Sequence, residues 1–464
     1  MRTTSRRIRA ALCAASIAAV VVPFARAQDT QYWSDAYGTQ ARLMGGIVIG
    51  GDADISAVYY NPGAIALADS LQLLISLNAL RYASLGYTVP NVQNVPSSTG
   101  WSALSNMFAG TIPIGGKDSN KRLAFSLLTR QSFVFGAQLR AIALDSFIPV
   151  PPPAPTFSQG NAVVNQSLGE VWTGATYSWS QGRHWGFGGS LYIPIRSQTW
   201  SQSVDAQVVN GVGKTALAIR EYDFSYYNWA LLAKLGVQWR GDDGWYAGLT
   251  LTTPRLNLFG GSSVGATASY VDQGVTGGPG SSQIATNYQT KLGAHYNSAT
   301  SIGFGVSKVD RDRKWVVNLA AEWFSAVPRF TIIRADSFVP QTGGPAIPMS
   351  LTAQYRAVFD WGVSARRVLS EHFDIYGAFK TDDTSIPPGV KSVGTLVNWD
   401  LLHADVGVQG TLGRVGVILG FDVAWGSHAG LTAGGDPAPG LPALPNVSES
   451  FFAITGALGF KFTY

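Results

Sequence analysis

Val415–Gly426 reads VGVILGFDVAWG, and its spacing decides the fold class. Odd positions carry Val415, Val417, Leu419, Phe421, Val423 and Trp425. Even positions carry Gly416, Ile418, Gly420, Asp422, Ala424 and Gly426. Successive side chains of a strand point to opposite faces, so this period of two sets an apolar face against a small or polar one. The period recurs at Leu231, Ala233, Leu235, Val237 and Trp239 against Lys234, Gly236, Gln238 and Arg240. It recurs again at Trp315, Val317, Leu319, Ala321 and Trp323 against Asn318 and Glu322, and at Trp185, Phe187, Leu191 and Ile193 against Gly186, Gly188 and Ser190. One such run fits a soluble β-sandwich, whose strands average about five to six residues. Runs of up to about 25 residues that follow one another along the chain fit strands tilted across a bilayer, which need about 9–11 residues each.

Working outward, fourteen runs read as strands: 70–89, 108–114, 121–145, 167–180, 184–208, 215–240, 245–270, 282–308, 314–336, 352–369, 372–386, 395–411, 414–429 and 449–464. The connections alternate. Gly115–Asn120, Gln181–Arg183, Gly241–Gly244, Val309–Arg313, Ser370–Glu371 and Leu412–Gly413 are short, and the other set is mostly longer. An even strand count with short turns at one end and longer loops at the other is the pattern of a bacterial outer-membrane barrel. Tryptophans keep the same frame. Trp179 and Trp185 flank one short turn, and Trp239 and Trp245 flank another. Trp229 and Trp239 share a face at a spacing that spans ~25 Å along the membrane normal, the height of an apolar band between aromatic girdles. The last run ends Phe452, Ile454, Leu458, Phe460, Phe462, Tyr464 on one face, which resembles the assembly signal of outer-membrane barrels.

Composition agrees. Charged residues are 13%, aromatics 12%, and glycines number 53 among 464 residues, whereas a soluble domain carries about 25% charged residues. Residues 1–27 read as a cleaved export signal: basic Arg2, Arg6, Arg7 and Arg9, an apolar run from Ala10 to Phe24, and Ala25-Arg26-Ala27 as the cleavage site. Its five arginines carry the whole net charge: 33 Lys and Arg less these five leave 28, against 28 Asp and Glu. The mature chain is then neutral, which excludes a basic nucleic-acid binder. The single cysteine, Cys13, leaves with the signal, so no disulfide or thiol chemistry is expected.

Three parts follow: 1–27 signal peptide, 28–69 an N-terminal hatch, and 70–464 the barrel. A ring of about fourteen strands is too wide for its own side chains to fill, and Gln28–Asp69 is the available occupant. Within it, Gly50–Leu67 reads GGDADISAVYYNPGAIAL, broken into short pieces by its glycines, Asp52, Asp54 and Asn61-Pro62-Gly63. Pro62 is tolerated at a first helical position, and Asp52 and Asp54 can accept from backbone N–H groups at helix starts. Gly50 to Ala64 resembles the hatch motif of the FadL family of outer-membrane transporters for long-chain fatty acids and other hydrophobic compounds. That motif is a small-residue run, an acidic pair, an aromatic pair, then Asn-Pro-Ala-Gly. Here the two small residues after Asn61-Pro62 are exchanged, Gly63 preceding Ala64. The resemblance implies an all-β transmembrane antiparallel barrel with a hatch in its lumen. It also implies passive uptake of hydrophobic molecules at the outer membrane of a Gram-negative-type bacterium. Asp52, Asp54, Tyr59, Tyr60, Asn61, Pro62 and Gly63 form the hatch motif, with Tyr59 and Tyr60 as candidates for ligand contact.

Proteins of this family pass substrate sideways through a kink in the third strand, and 121–145 has a matching irregularity. Its apolar pattern Leu123, Phe125, Leu127 is broken by Thr129-Arg130-Gln131-Ser132 and resumes at Phe133 and Phe135, with Gly136 following. An arginine on a lipid face costs about 2–4 kcal/mol at the midplane. Either the strand bends and opens there, or the polar run lies at an interface.

No enzymatic chemistry is expected. Gly261-Ser262-Ser263-Val264-Gly265 matches G-x-S-x-G but lies in a β segment rather than at a strand-to-helix elbow. His403 and Asp405 lack a matched partner set and read as lumen residues. No metal-ligand cluster and no cofactor motif stand out. Lys234, Arg196, Glu322, Asp360, Arg366, Lys380, Asp405 and Asp422 are lumen-facing by their strand phase. The expected partners are hydrophobic small molecules, outer-membrane lipids and the barrel assembly machinery, with the chain acting as a monomer. The competing function is a general porin, or a barrel scaffold for a secretion partner.

Overall fold

The computed structural model describes residues 30–51, 54–68, 70–88, 98–114, 119–142, 157–275, 280–388, 399–433 and 444–463. The leader, Asp52 and the proline-rich Pro149–Pro155 lie outside the described residues. In chain order the strands are β1 (Gln72–Thr88), β2 (Ser98–Pro113), β3 (Lys121–Ile142), β4 (Phe157–Gln181), β5 (Trp185–Val209), β6 (Thr215–Arg240), β7 (Trp245–Thr252), β8 (Leu256–Asp272), β9 (Ser281–Gly293), β10 (Ser301–Val309), β11 (Trp315–Phe324), β12 (Val327–Ile333), β13 (Leu351–Tyr355), β14 (Val358–Ser370), β15 (Phe373–Asp382), β16 (Leu401–Leu412), β17 (Val415–Ala433) and β18 (Leu444–Thr463).

Neighbouring strands pair antiparallel, and the ring closes where β1 meets β18, with Gln72 opposite Thr463. β5 and β6 complete the circle on the far side. β6 pairs with β7 through its last residues and with β8 through its first, so β7 and β8 are two halves of one wall strand. The runs β9–β10, β11–β12 and β13–β14 are also broken, with β9, β10, β11 and β14 staying in the main sheet and β12 and β13 forming a second, two-stranded one. Counting each broken pair once gives the fourteen-stranded closed barrel that the alternation implied.

The phase of the strands follows from the same alternation. Val417, Leu419, Phe421 and Trp425 are exposed on β17, while Ile418, Asp422 and Ala424 between them are buried. On β11, Trp315, Val317, Leu319 and Trp323 face out and Asn318 and Glu322 face in. Trp179, Trp185, Trp245 and Trp315 form an exposed ring beside the short turns, and Trp323, Trp361 and Trp425 lie further up the wall. At the turn end Lys308 lies 4.7 Å over the Trp245 ring and Arg367 lies 5.1 Å over Trp315, a placement that suits a membrane–water interface. Gly244 and Gly413 take positive φ in two of the tight turns, a conformation that costs other residues a steric penalty.

Three expectations need correction. The second strand starts at Ser98 rather than 108, because pairing with β1 carries a segment rich in Ser and Asn that has little strand pattern of its own. β4 likewise starts at Phe157, ten residues before the expected 167, in register with β5. The runs 245–270, 282–308, 314–336 and 352–369 are not continuous. Each is interrupted, at 253–255, 294–300, 325–326 and 356–357.

Candidate functional site

Residues 30–68 reach wall strands on every side of the ring, which only a segment inside the lumen can do. Asp382 of β15 accepts from Tyr32 N (3.1 Å), Trp33 N (2.8 Å) and Ser34 Oγ (2.6 Å). Trp33 Nε1 donates to Glu322 of β11 at 3.0 Å. Arg42 pairs with Asp405 of β16 at 3.0 Å, both buried. Ser190 Oγ and Tyr192 OH of β5 both donate to Val58 O at 2.7 Å. The segment runs from the level of Asp382 and Trp399 down to the turn end, where it leads into β1.

Within the segment, two four-residue helical turns, α1 (Gln40–Leu43) and α2 (Ala57–Tyr60), precede a 3-10 turn at Pro62–Leu67. Asp54 ties this knot together. Its Oδ2 accepts from Thr39 N, Thr39 Oγ1 and Gln40 N at 2.6–2.9 Å, and its Oδ1 accepts from Ser56 N at 2.9 Å. The carboxylate therefore satisfies N–H groups at the start of α1, seventeen residues upstream of the helix it precedes in sequence. Asn61 ties the knot to the wall. Its Nδ2 faces Ile49 O (2.8 Å), Gln238 Oε1 (2.9 Å) and Val237 O (3.1 Å), and its Oδ1 accepts from Gly63 N at 3.1 Å. Pro62 opens the 3-10 turn, where its missing N–H leaves nothing unpaired.

The wall beneath is paved with glycine. A Cβ on Gly63 would stand 2.7 Å from both Gly186 O and Gly236 O, and one on Gly188 would stand 2.4 Å from Pro62 O. A Cβ on Gly248 would lie 1.9 Å from Ile49 O. Plug backbone and wall backbone thus touch directly, and the exchanged order Gly63-Ala64 is the order this contact requires. The signal was present in the inward, small-residue phase of β5 and β6, but the distances appear only when the segment is inside.

Above this knot lies a cavity lined by Tyr59, Arg130, Trp172, Arg255, Tyr296 and Phe324, among others. Tyr59 lies at its floor, 4.7 Å from Tyr37 and 5.9 Å from Trp172 ring to ring, with Lys234 Nζ 4.9 Å over its face. Burial pushes the Tyr59 phenol up to about 12, so it offers a hydroxyl and a ring and no charge. Tyr60 is turned away from this space into the knot, its hydroxyl accepting from Tyr37 N at 2.7 Å. The aromatic pair therefore divides, one ring to the cavity and one to the fold.

The cavity wall holds charges that sequence reading did not gather. Glu170 of β4 pairs with Arg196 of β5 at 3.0 Å, is bonded by Arg255, and accepts from Trp172 Nε1 at 2.6 Å. Arg196 and Arg255 lie 4.0 and 5.0 Å over the Tyr296 ring. Lys234 and Glu322 face each other at 3.7 Å. The eight lumen positions read from strand phase all point inward, Arg366 less deeply than the rest and paired with Asp374 at 3.0 Å. Glu170 shared that inward phase, and Arg255 follows Pro254, a strand breaker. Those two signals could have marked them.

At the side of the cavity, β3 carries a bulge. Thr129 is opposite Val171 and Gln131 is opposite Glu170, which leaves Arg130 as the extra residue. The pairing of β2 with β3 ends at Met107 opposite Leu128, although β2 continues beside β1 and β3 continues beside β4. Arg130 is buried rather than lipid-facing. Its Nη2 donates to Tyr32 O at 2.8 Å, and its carbonyl accepts from Tyr37 OH at 3.1 Å. Gln131 Oε1 accepts from Arg196 at 2.7 Å. Thr129 and Ser132 are half-buried, and Gly136 is exposed further up the strand.

A closed antiparallel barrel whose inward side chains bond the described residues 30–68 defines the class: a membrane-spanning β-barrel. No family model and no curated protein matches this sequence. The fold nevertheless has solved counterparts. It superposes on a Pseudomonas aeruginosa FadL homologue with a TM-score of 0.57 at 11% identity, over 95% of this chain and 99% of that one. It superposes on the Ralstonia pickettii toluene transporter TbuX at 0.54 and 12% identity, over 93% and 99% of the two chains. For the Pseudomonas putida toluene transporter TodX the TM-score is 0.55 at 12% identity, again over 93% and 99%. The chain has the fold of FadL-type channels.

Proposed function

We propose that this protein is a non-enzymatic, monomeric carrier that admits hydrophobic small molecules passively across the outer membrane. Its short turns would face the periplasm, with residues 28–69 as the hatch. The observation that carries the reading is the aromatic cavity above Tyr59, which adjoins the Arg130 bulge where the β2–β3 ladder ends. A hydrophobic solute, a long-chain fatty acid or a hydrocarbon, would rest against Tyr59 and Trp172 and leave between β2 and β3 past Thr129–Ser132. It would reach the bilayer without crossing the plugged lumen. The solved counterparts named as toluene transporters and as a FadL homologue support the same class of cargo. A general porin is disfavoured by the segment filling the lumen.

The test is reconstitution. In planar bilayers the purified barrel should show no steady ion conductance. In lipid nanodiscs it should bind both dodecanoate and toluene-sized apolar probes. Steady conductance without hydrophobic binding would point to the porin and sink this reading.

A further inference from the structure

Four successive wall strands break at one level, and the last two breaks release a hairpin from the wall. Between them β12 and β13 form a separate two-stranded sheet, tied to the preceding segment at the isolated bridge between Ile333 and Ala294. The hairpin leans across the lumen. Ile332, Met349 and Leu351 pack in one buried cluster with Trp200 of β5, Phe224 of β6 and Val264 of β8. At its lower edge Tyr355 lines the cavity, its hydroxyl 3.0 Å from Tyr296 OH. The cavity's cover on this side is therefore the hairpin, not the barrel wall.

The seam that holds the cover shut is not a strand ladder. Residues 334–350 meet β9 largely through side chains that take the place of a backbone. The Gln341 carboxamide accepts from Thr286 N at 2.9 Å and donates to Thr286 O at 2.8 Å. Thr342 Oγ1 accepts from Ile284 N at 3.1 Å and donates to Ile284 O at 3.3 Å. From the other side, the Gln289 carboxamide bonds Asp336 N and O at 2.9 and 2.8 Å. These rungs are exposed, so each opens by a side-chain rotation with water replacing the partner, and the backbone adds a bond from Thr342 N to Ile284 O at 3.4 Å and, near the base of the hairpin, one from His295 N to Ile332 O at 3.0 Å. The two ends of the hairpin are fixed more firmly. Ser325 N donates to Thr300 O at 2.8 Å and Ser325 Oγ accepts from Thr300 N at 3.0 Å. Arg356 N donates to Ser385 O at 2.6 Å and its Nε to Thr384 O at 2.7 Å. Firm ends, an apolar inner face and a side-chain seam describe a cover that can swing.

We propose that residues 327–355 are an outer gate over the cavity, closed in this structure, which swings about Ser325 and Arg356 to admit a hydrophobic solute. The proposal rests on the carrier function above. It is tested by stapling the gate. Ala294 and Ile333 face each other across an isolated antiparallel bridge, and such partners lie within the Cα separation that a disulfide spans. Ala294 belongs to the wall, its carbonyl accepting from Asn228 Nδ2 of β6 at 3.3 Å. The double variant Ala294→Cys with Ile333→Cys, in nanodiscs, is mixed with the apolar fluorophore N-phenyl-1-naphthylamine. Oxidation should slow binding at least tenfold, and dithiothreitol should restore it. Equal rates in both redox states overturn the gate and leave the carrier reading standing. Absence of binding in both states overturns the carrier reading and the gate with it. Should the double variant fail to assemble, hydrogen exchange on the unaltered protein decides. The amides of Ile284, Thr286 and Asp336 should exchange at least a hundredfold faster than those of the β5–β6 ladder, and equal protection overturns the proposal.

Discussion

Glu170 is buried where β3, β4 and β5 place Gln131, Glu170 and Arg196 side by side in register. Two guanidiniums share its carboxylate, and each also covers the Tyr296 ring. Removing one partner from a buried ion cluster costs about 3–5 kcal/mol, because the remaining charges stay desolvated. Glu170→Gln should therefore lower the urea midpoint of the reconstituted barrel, read by tryptophan fluorescence, whereas a neutral change at the exposed pair Arg183–Asp242 should leave it within error. Gly63 makes a second, purely steric claim. Gly63→Ala puts a carbon 2.7 Å from two wall carbonyls, too close for the 3-10 turn to stay seated. We expect a steady ion conductance in planar bilayers from this variant. Gly410→Ala is the control, since a Cβ there meets nothing within 4 Å, and it should remain silent. Conductance from both variants, or from neither, would remove the glycine contact as the seal.

At the scale of the element, β3 and the four broken strands divide what was legible from what was not. The interruption Thr129–Ser132 stood out in the sequence because four polar residues cannot share a lipid face, and the structure has a bulge at Arg130. What the sequence did not carry is that Arg130 turns inward, its guanidinium to the carbonyl of Tyr32 and its own carbonyl to the Tyr37 hydroxyl, contacts between segments about a hundred residues apart. The breaks were marked more faintly, by Pro254 and Pro328, while β-branched and aromatic residues on either side kept each run looking continuous. Alternation reports the phase of a strand and is silent about whether its neighbour follows. The bulge supports a prediction of its own. Deleting Arg130 removes the extra residue, restores an unbroken β3–β4 register and withdraws the bond to Tyr32. If solute leaves between β2 and β3, transfer of a hydrophobic probe into vesicles should fall about tenfold while the heat-modifiable mobility of the folded barrel is kept. Unchanged transfer would argue against a side exit at this place.

At the scale of the whole molecule, the ring and its contents are stabilised by different interactions. The wall closes through backbone ladders from β1 to β18 and from β5 to β6 that need nothing inside, and its outward face is an apolar band for lipid. The contents are held by side chains: Asp382 on the backbone of Tyr32 and Trp33, Asp405 on Arg42, Asn61 on Val237 and Gln238. In the open lumen those wall carboxylates would meet water rather than apolar protein, so their loss of partners carries little penalty. It follows that the segment can be removed without unfolding the ring. A protein lacking residues 30–68 should still assemble and keep its heat-modifiable mobility. A ring of this strand number encloses more space than its own side chains fill, so the shortened protein should hold a large, steady conductance where the full chain holds none. If it failed to assemble instead, the wall would depend on its contents, and the division between a self-sufficient ring and a removable plug would be wrong. If it assembled and stayed silent, the hairpin β12–β13 and its loop would be sealing the lumen by themselves, and stapling or freeing that hairpin in the shortened protein would then set the conductance.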